Sequence, residues 1–376
     1  MTSFYSFLVS IVWFNIAMLV VAILSRRTYF LVKYSTSVLL LCAALGIIRM
    51  LLPLDFSFAY VISSYKIMPV VRDAFRGDIM PGQEYLKLGT VIIGVWVIGT
   101  IAVLMKTIHQ LIIENGFRKE YTVVKNKQVE RVCAKMGLKK AKIIVTPDIG
   151  IPMVTGIFKA HIYLPEIRLT NSQLEMVISH EYQHFKSHDM LIKLFYLALL
   201  ALFWWNPVVH KFKDELDNLL ELRCDANVTK KMDDEGKERY LTSILAVIKQ
   251  LHVVPNEKFT VASASLVKVK SESLIKQRFN FVLCDNKKAP IAQTVMASLL
   301  VVLFLLSFMV IVQPAGFPTG DEMDAGVRIT PENAYILVLN DGGMKLYVDG
   351  EFLWDVSEAD LNDDLHSNLP KYERKN

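Results

Sequence analysis

The sequence predicts a polytopic α-helical membrane protein that carries an α+β cytoplasmic domain and ends in a small β-rich tail. Three observations predict it. Of 376 residues, 53% are hydrophobic, too many for an ordinary soluble chain. The apolar residues are gathered into blocks long enough for a bilayer core. Between the last two blocks lies a large segment, residues 114–290, with basic residues at both ends.

Taken in order, residues 4–24 form a run of 21 with no charged side chain. Met1-Thr2-Ser3-Phe4 offers no positive leader, and no small-residue cleavage site follows, so the run reads as a retained membrane helix rather than a signal peptide. Residues 35–54 form a second span, interrupted by Arg49, which should snorkel outward or pair with an acid. Residues 89–105 begin a third, which extends toward Ile113, and the charge-free run 291–313 is the fourth. The expected organisation is therefore a membrane domain over 1–113, a cytoplasmic domain over 114–290, a final span over 291–313 and an extracytoplasmic tail over 314–376. In the tail, Tyr335–Leu339, Lys345–Val348 and Phe352–Trp354 read as two or three short strands, with a turn at Asn340–Gly343.

Charge sets the orientation. Arg26, Arg27 and Lys33 follow the first span, Lys106, Arg118, Lys119, Lys125 and Lys127 follow the third, and Lys287 and Lys288 precede the fourth. Basic flanks stay in the cytoplasm, which places both termini outside a bacterial cell membrane. Lys66, Arg72 and Arg76 in the loop 55–88 weaken this bias without reversing it. The tail 317–376 carries 13 acidic and 5 basic residues, in keeping with an external position. The net charge of +5 is explained by this asymmetry and does not indicate nucleic-acid binding. The runs 119–127 and 268–278 could meet anionic lipid heads or simply be solvated. Four unpaired cysteines, Cys42, Cys133, Cys224 and Cys284, give no disulfide framework, and Cys224 reads as a small buried residue.

The chemistry concentrates at His180-Glu181-Tyr182-Gln183-His184. Histidines four apart on a helix share one face, so both imidazoles can reach one zinc ion. Glu181 between them can take a proton from water at the metal's open position. Ser172 and Glu175 make a capping box for this helix, with Asn171 or Thr170 as alternative caps. His188 continues the series, but on a straight helix it would lie about 12 Å from His180 along the axis, so it cannot share the ion. A third ligand must therefore come from elsewhere.

The apolar stretch 190–209 precedes the best candidates. If it crossed the membrane, about 30 Å of hydrocarbon would separate His184 from anything beyond Pro207. A re-entrant or interfacial helix, or one packed on the other spans, is expected instead. Past it, Asp214, Asp217, Glu221 and Asp225 share one helical face, where acids are as readily solvated as ligating.

His180–His184 followed by Asp189, Trp205-Asn206-Pro207 and Glu221-Leu222-Arg223-Cys224-Asp225 resembles the BlaR/MecR family of membrane metallopeptidases, signal transducers of bacterial β-lactam resistance. Pro152–Phe158, Ile162–Pro165, Arg49 with Leu51-Leu52-Pro53, and Leu274–Arg278 match as well, so the resemblance covers residues 1 to about 313. It implies a gluzincin-like zinc metallopeptidase domain with one zinc ion held by His180, His184 and Glu221. Glu181 would be the general base, and Asp225 and Asp189 would orient the histidines through their other ring nitrogens. Ile151–Leu164 would supply strand structure beside the cleft, where a substrate peptide can add as a further strand. The oxyanion-stabilising residue is open, with Tyr240 and Arg223 as candidates. The implied partners are the lipid bilayer and a protein substrate, either a winged-helix transcriptional repressor or the protease itself, with no direct nucleic-acid contact. Homodimerisation stays open.

The archetypal receptors carry a large external penicillin-binding domain, where this chain has only the tail. Ser265-Leu-Val-Lys268 spells Ser-x-x-Lys in the cytoplasmic segment without partner motifs, so sensing by acylation is not expected. Three rival readings remain. A site-2-type intramembrane protease would need an Asp-Gly ligand in a later span, but Asp341-Gly342 and Asp349-Gly350 lie in the polar tail. A prenyl-type or quality-control peptidase shares the Glu-x-x-x-Asp pattern of 221–225. A non-catalytic receptor with a vestigial site would have no need of Glu181.

Overall fold

The computed structural model is mostly helical and describes residues 4–54, 56, 58–64, 67–76, 87–138, 141–166, 168–251, 272–284, 290–314, 329, 331, 333–339, 343–356, 361 and 369–373. The chain divides into two compact units, one of residues 1–17, 44–96 and 298–376 and the other of residues 18–43 and 97–297.

The apolar blocks become helices, but not four equal ones. Helix α1 (Phe4–Ser25) and helix α5 (Leu88–Glu120) contain windows long and apolar enough to cross a bilayer. Between them, α2 (Thr28–Tyr34) and α3 (Thr36–Leu51) are bent by 91° at Ser35, and together they meet the same test. The structure thus has two to three candidate spans among the described residues. The expected fourth span divides. Its first part is helix α12 (Pro290–Leu306), and Val310–Pro314 leaves the helix as a strand. The β-branched run Val310-Ile311-Val312 before a proline favours extended backbone.

In the first unit, strand β1 (Tyr60–Ser64) pairs in parallel with that strand, β5, and helix α4 (Ile67–Arg76) follows β1. Arg49 is buried rather than snorkelling. Its guanidinium lies 4.3 Å from the centre of the Phe308 ring and reaches the carbonyls of Leu52 and Ser307 at 3.4 Å. Helix ends leave carbonyls without intrahelical partners, and a buried cation can bond to them. The tail forms a four-stranded sheet in the order β8-β7-β6-β9, from β6 (Ala334–Val338), β7 (Met344–Val348), β8 (Glu351–Val356) and β9 (Lys371–Glu373). Ile336, Leu346, Val348 and Val356 fill one face. The expected strands are present; the three-residue β9 is too short to read from pattern, and turn residues 340–342 lie outside the described set.

The second unit holds the predicted zinc helix. Helix α6 (Lys127–Met136) starts at Asn126, whose side chain accepts from the amides of Gln128 and Val129, and ends at Gly137 in the left-handed region. Strands β2 (Ala141–Thr146), β3 (Met153–Thr155) and β4 (Ala160–Pro165) form a sheet in the order β2-β4-β3, with β2 parallel and β3 antiparallel to β4. Gly156 turns the β3–β4 hairpin at φ +97, where an added Cβ would lie 2.1 Å from the Lys159 carbonyl oxygen. Ile162 and Leu164 on this sheet pack against Leu174, Val177 and Ile178 of helix α7 (Asn171–Lys186), fixing how that helix lies on the sheet.

Helix α7 is capped by Thr170, and Gln173 completes the box, two residues ahead of the expected Ser172–Glu175 pair. Glu175 instead meets Lys135 at 3.0 Å. The helix breaks at His188, φ +56, and helix α8 (Asp189–Leu202) departs from it. With only 14 residues, α8 is short for a crossing, which takes about 20. At its end, the Trp204 ring packs so closely on α5 that a Cβ at Gly99 would lie 2.3 Å from it. Asn206 then caps helix α9 (Pro207–Thr229), with Pro207 in the first turn. Helices α10 (Asp234–Leu251) and α11 (Glu272–Leu283) pack against α9. Glu215 of α9 accepts from Ser25 at 2.7 Å and pairs with Arg26 at 2.7 Å, tying α9 to the end of α1. Residues 252–271, including Ser265–Lys268, lie outside the described set.

Candidate metal centre

One turn of α7 separates His180 from His184, and their Nε2 atoms stand 3.1 Å apart. Helix α9 brings Glu221 to the same point. One carboxylate oxygen is 3.5 Å from His180 Nε2, and the other is 3.9 Å from His184 Nε2. The hydrophobic stretch 190–209 therefore does not separate the two halves of the site. Four ligands arranged tetrahedrally at about 2.0–2.2 Å from zinc would stand roughly 3.3–3.6 Å from one another. The measured separations bracket that range.

The outer ring nitrogens explain why three acceptors can converge. His184 Nδ1 is 2.6 Å from Asp189 Oδ2, and a carboxylate only accepts, so Nδ1 carries the proton. His180 Nδ1 is 2.7 Å from the Tyr240 hydroxyl, which itself donates to Asp225 Oδ1 at 2.6 Å. The hydroxyl has one proton, so it accepts from His180 Nδ1–H. In the neutral rings, each Nε2 then offers a lone pair on the side of the Glu221 carboxylate. Two lone pairs and a carboxylate, mostly buried, make a donor set suited to a divalent cation such as zinc.

Electrostatics support the proton on Tyr240 and the charge on Asp225. Burial, and then the neighbouring Asp225 charge, push the Tyr240 phenol well above its ordinary pKa, so it stays protonated. Burial opposes the Asp225 charge, but the Arg278 guanidinium outweighs it and holds that carboxyl below its usual value. Arg278 donates to both Asp225 oxygens, at 2.7 and 2.6 Å, and lies 3.0 Å from Glu221. On the other side, Arg223 donates to Asp189 and to the Ser187 carbonyl.

The expected residues thus gather, with some changes of role. Asp189 reaches His184 directly, whereas Asp225 is linked to His180 through the Tyr240 hydroxyl. Tyr240 is fully buried and both its hydroxyl bonds are committed inside, so it supports His180 instead of facing a substrate. Arg223 is likewise engaged with Asp189. Glu181 is half-buried, with no hydrogen-bond or ion-pair partner among the described residues. His188 is exposed, with its ring near the Phe185 carbonyl, and takes no part. Asp214 is exposed and Asp217 pairs with Lys193 at 3.3 Å, so neither joins the cluster.

Cys224 is a second donor close by: its sulfur and the two histidines place one ligand atom each within 4.8 Å of one another. Its Sγ, however, is 3.4 Å from His180 Nδ1 and donates to the His180 carbonyl. That contact is at the Nδ1 edge of the His180 ring. The residue that sequence reasoning missed is Arg278, read above as part of a surface run. A signal was available: Arg278, Phe281 and Val282 share one helical face, and the last two are core residues.

Residues 60–282 match the family described as BlaR1 peptidase M56. Among characterised proteins, the methicillin resistance mecR1 protein of Staphylococcus aureus is 31% identical over 186 residues, as is that of Staphylococcus epidermidis. The regulatory protein BlaR1 of Bacillus licheniformis is 28% identical over 158 residues. The mecR1 alignment covers 45% of this chain and 31% of the relative, and the BlaR1 alignment covers 40% and 26%, so the chain matches about a third or less of each relative's length.

Proposed function

Since the chain belongs to the BlaR1 peptidase M56 family of membrane metallopeptidases, we propose that it is a zinc endopeptidase with a cytoplasmic active site, working as a signal transducer. The observation that carries this reading is the convergence of two histidine lone pairs and the Glu221 carboxylate within 3.1–3.9 Å, with both outer ring nitrogens already held.

His180, His184 and Glu221 would hold one zinc ion, and Glu221 is preferred to Cys224 because the sulfur lies at the Nδ1 edge of His180. When bound, zinc supplies a Lewis acid that polarises the scissile carbonyl and acidifies water. Glu181 takes the proton of the attacking water onto its carboxylate and delivers it to the leaving amine. Asp189 and the Tyr240–Asp225 pair keep the histidine Nδ1 protons in place, so the Nε2 atoms stay free to ligate. Strand β3 is at the edge of its sheet and packs against α7, so an extended substrate can pair with it beside the histidines.

The substrate is a protein, a cytoplasmic winged-helix repressor or the chain itself, and α8 lies at the membrane surface or folds back into it. Co-expression with a tagged winged-helix repressor, the substrate class this reading requires, tests it. Wild-type chain should cleave the repressor, and Glu181→Gln should abolish cleavage while retaining one zinc per chain. Cleavage that persists in Glu181→Gln with zinc bound would end the peptidase assignment.

A further inference from the structure

Glu221 and Asp225 lie four residues apart on α9, so their carboxylates stack on one face of the helix. Two anions this close inside a protein repel each other unless a cation is shared between them. Arg278 shares itself out completely. Its Nε and Nη2 bond to the two Asp225 oxygens at 2.7 and 2.6 Å, and its Nη1 lies 3.0 Å from Glu221 Oε2. That Glu221 oxygen is also the one 3.5 Å from His180 Nε2. The Asp225 oxygen bonded by Nη2 is the one that accepts from Tyr240, which in turn holds His180.

We propose that Arg278 is a positioning residue of the peptidase, fixing the Glu221 carboxylate toward the histidines and, through Asp225 and Tyr240, the ring of His180. The claim rests on the zinc-peptidase reading and deepens it. One planar guanidinium sets two elements of the site at once, from three nitrogens in fixed directions. Lysine, a single point charge, cannot meet three carboxylate oxygens this way. Arg278 is supplied by α11, not by either helix that bears the ligands, so the site is complete only when α11 is docked. Helix α12 begins seven residues beyond α11 at Pro290, which places this contact on the chain's path into its last apolar helix.

The test uses the full-length protein in lipid nanodiscs, with Arg278→Lys, Arg278→Ala and, on the same helix, Gln277→Ala. Gln277 bonds to Asn218 and the Ser25 carbonyl, so its loss loosens α11 without touching Glu221. Zinc affinity is read by competition with a chromophoric chelator, and kcat and KM from hydrolysis of β-casein. Arg278→Lys should lower zinc affinity and kcat each by about 10- to 100-fold, with KM held within roughly twofold. Added guanidinium ion should partly restore Arg278→Ala, and Gln277→Ala should bind zinc like wild type.

Wild-type zinc affinity and kcat in Arg278→Lys would overturn the proposal. So would an equal loss in Gln277→Ala, which would trace the effect to helix packing. If Arg278→Ala does not fold, Arg278→Lys decides alone. A wild-type protein that binds no zinc would remove the peptidase reading itself, whereas a zinc-loaded, active wild type matched by Arg278→Lys would remove only this claim.

Discussion

His184 is held from five residues away, and His180 from across three other helices. Asp189 follows the break at His188 and turns straight back onto His184, with Arg223 behind it. His180 depends on Tyr240 from α10, Asp225 from α9 and Arg278 from α11. The two supports do the same chemical work, since each keeps a proton on Nδ1. They differ in burial and reach. The first is a local turn whose arginine is partly solvated, and the second is a buried network in which every member needs the others.

That difference predicts unequal damage. The largest effect should follow Asp225→Ala, which strips the buried Arg278 guanidinium of two of its three carboxylate contacts. A loss of about 3–5 kcal/mol in unfolding free energy is expected, read from denaturant unfolding of the zinc-free protein. A loss below that of Asp189→Asn would show that the buried network is not the stronger support.

Tyr240→Phe removes only the bridging hydroxyl, so the buried His180 Nδ1 loses its acceptor while Asp225 keeps Arg278. It should cost about 1–3 kcal/mol, with zinc affinity falling by about 10- to 100-fold. Chelator competition would sink the assigned hydrogen-bond chain if Tyr240→Phe bound zinc normally. Asp189→Asn is milder, because water can reach Arg223, and a drop near the lower end of about 10- to 100-fold in zinc affinity is expected. His188→Gly should be the smallest, within about 0.5 kcal/mol. The exposed ring makes no contact with the ligands, and glycine accepts φ +56. A tenfold loss of zinc in that variant would bring His188 into the site.

The legible and illegible parts of the site follow the same divide. His180, Glu181, His184 and Asp189 sit within ten residues, and helical periodicity alone puts the histidines on one face. Glu221 and Asp225 could be found as acids on one helical face, and the family resemblance singled them out. From sequence Tyr240 is only one oxyanion candidate and Arg278 only part of a run that meets lipid heads or solvent, because their contacts with His180, Asp225 and Glu221 do not exist until α10 and α11 pack on α9. In the membrane part, the runs 4–24 and 89–105 became long helices. The run 291–313 gave a helix and a strand, since hydropathy measures burial and does not distinguish helix from a paired β-branched segment.

By itself the sequence determined the membrane character, the histidine-bearing helix α7 and the expectation that a partner for its histidines returns from beyond the apolar stretch 190–209. Those are consequences of composition and of the fixed rise of a helix, which act locally. Only the tertiary structure decided which acid faces the histidines, which way each imidazole carries its proton, and that one arginine joins both carboxylates. Such choices depend on atoms within 4 Å of one another that lie far apart in the chain, 57 residues in the case of Glu221 and Arg278, and packing brings them together.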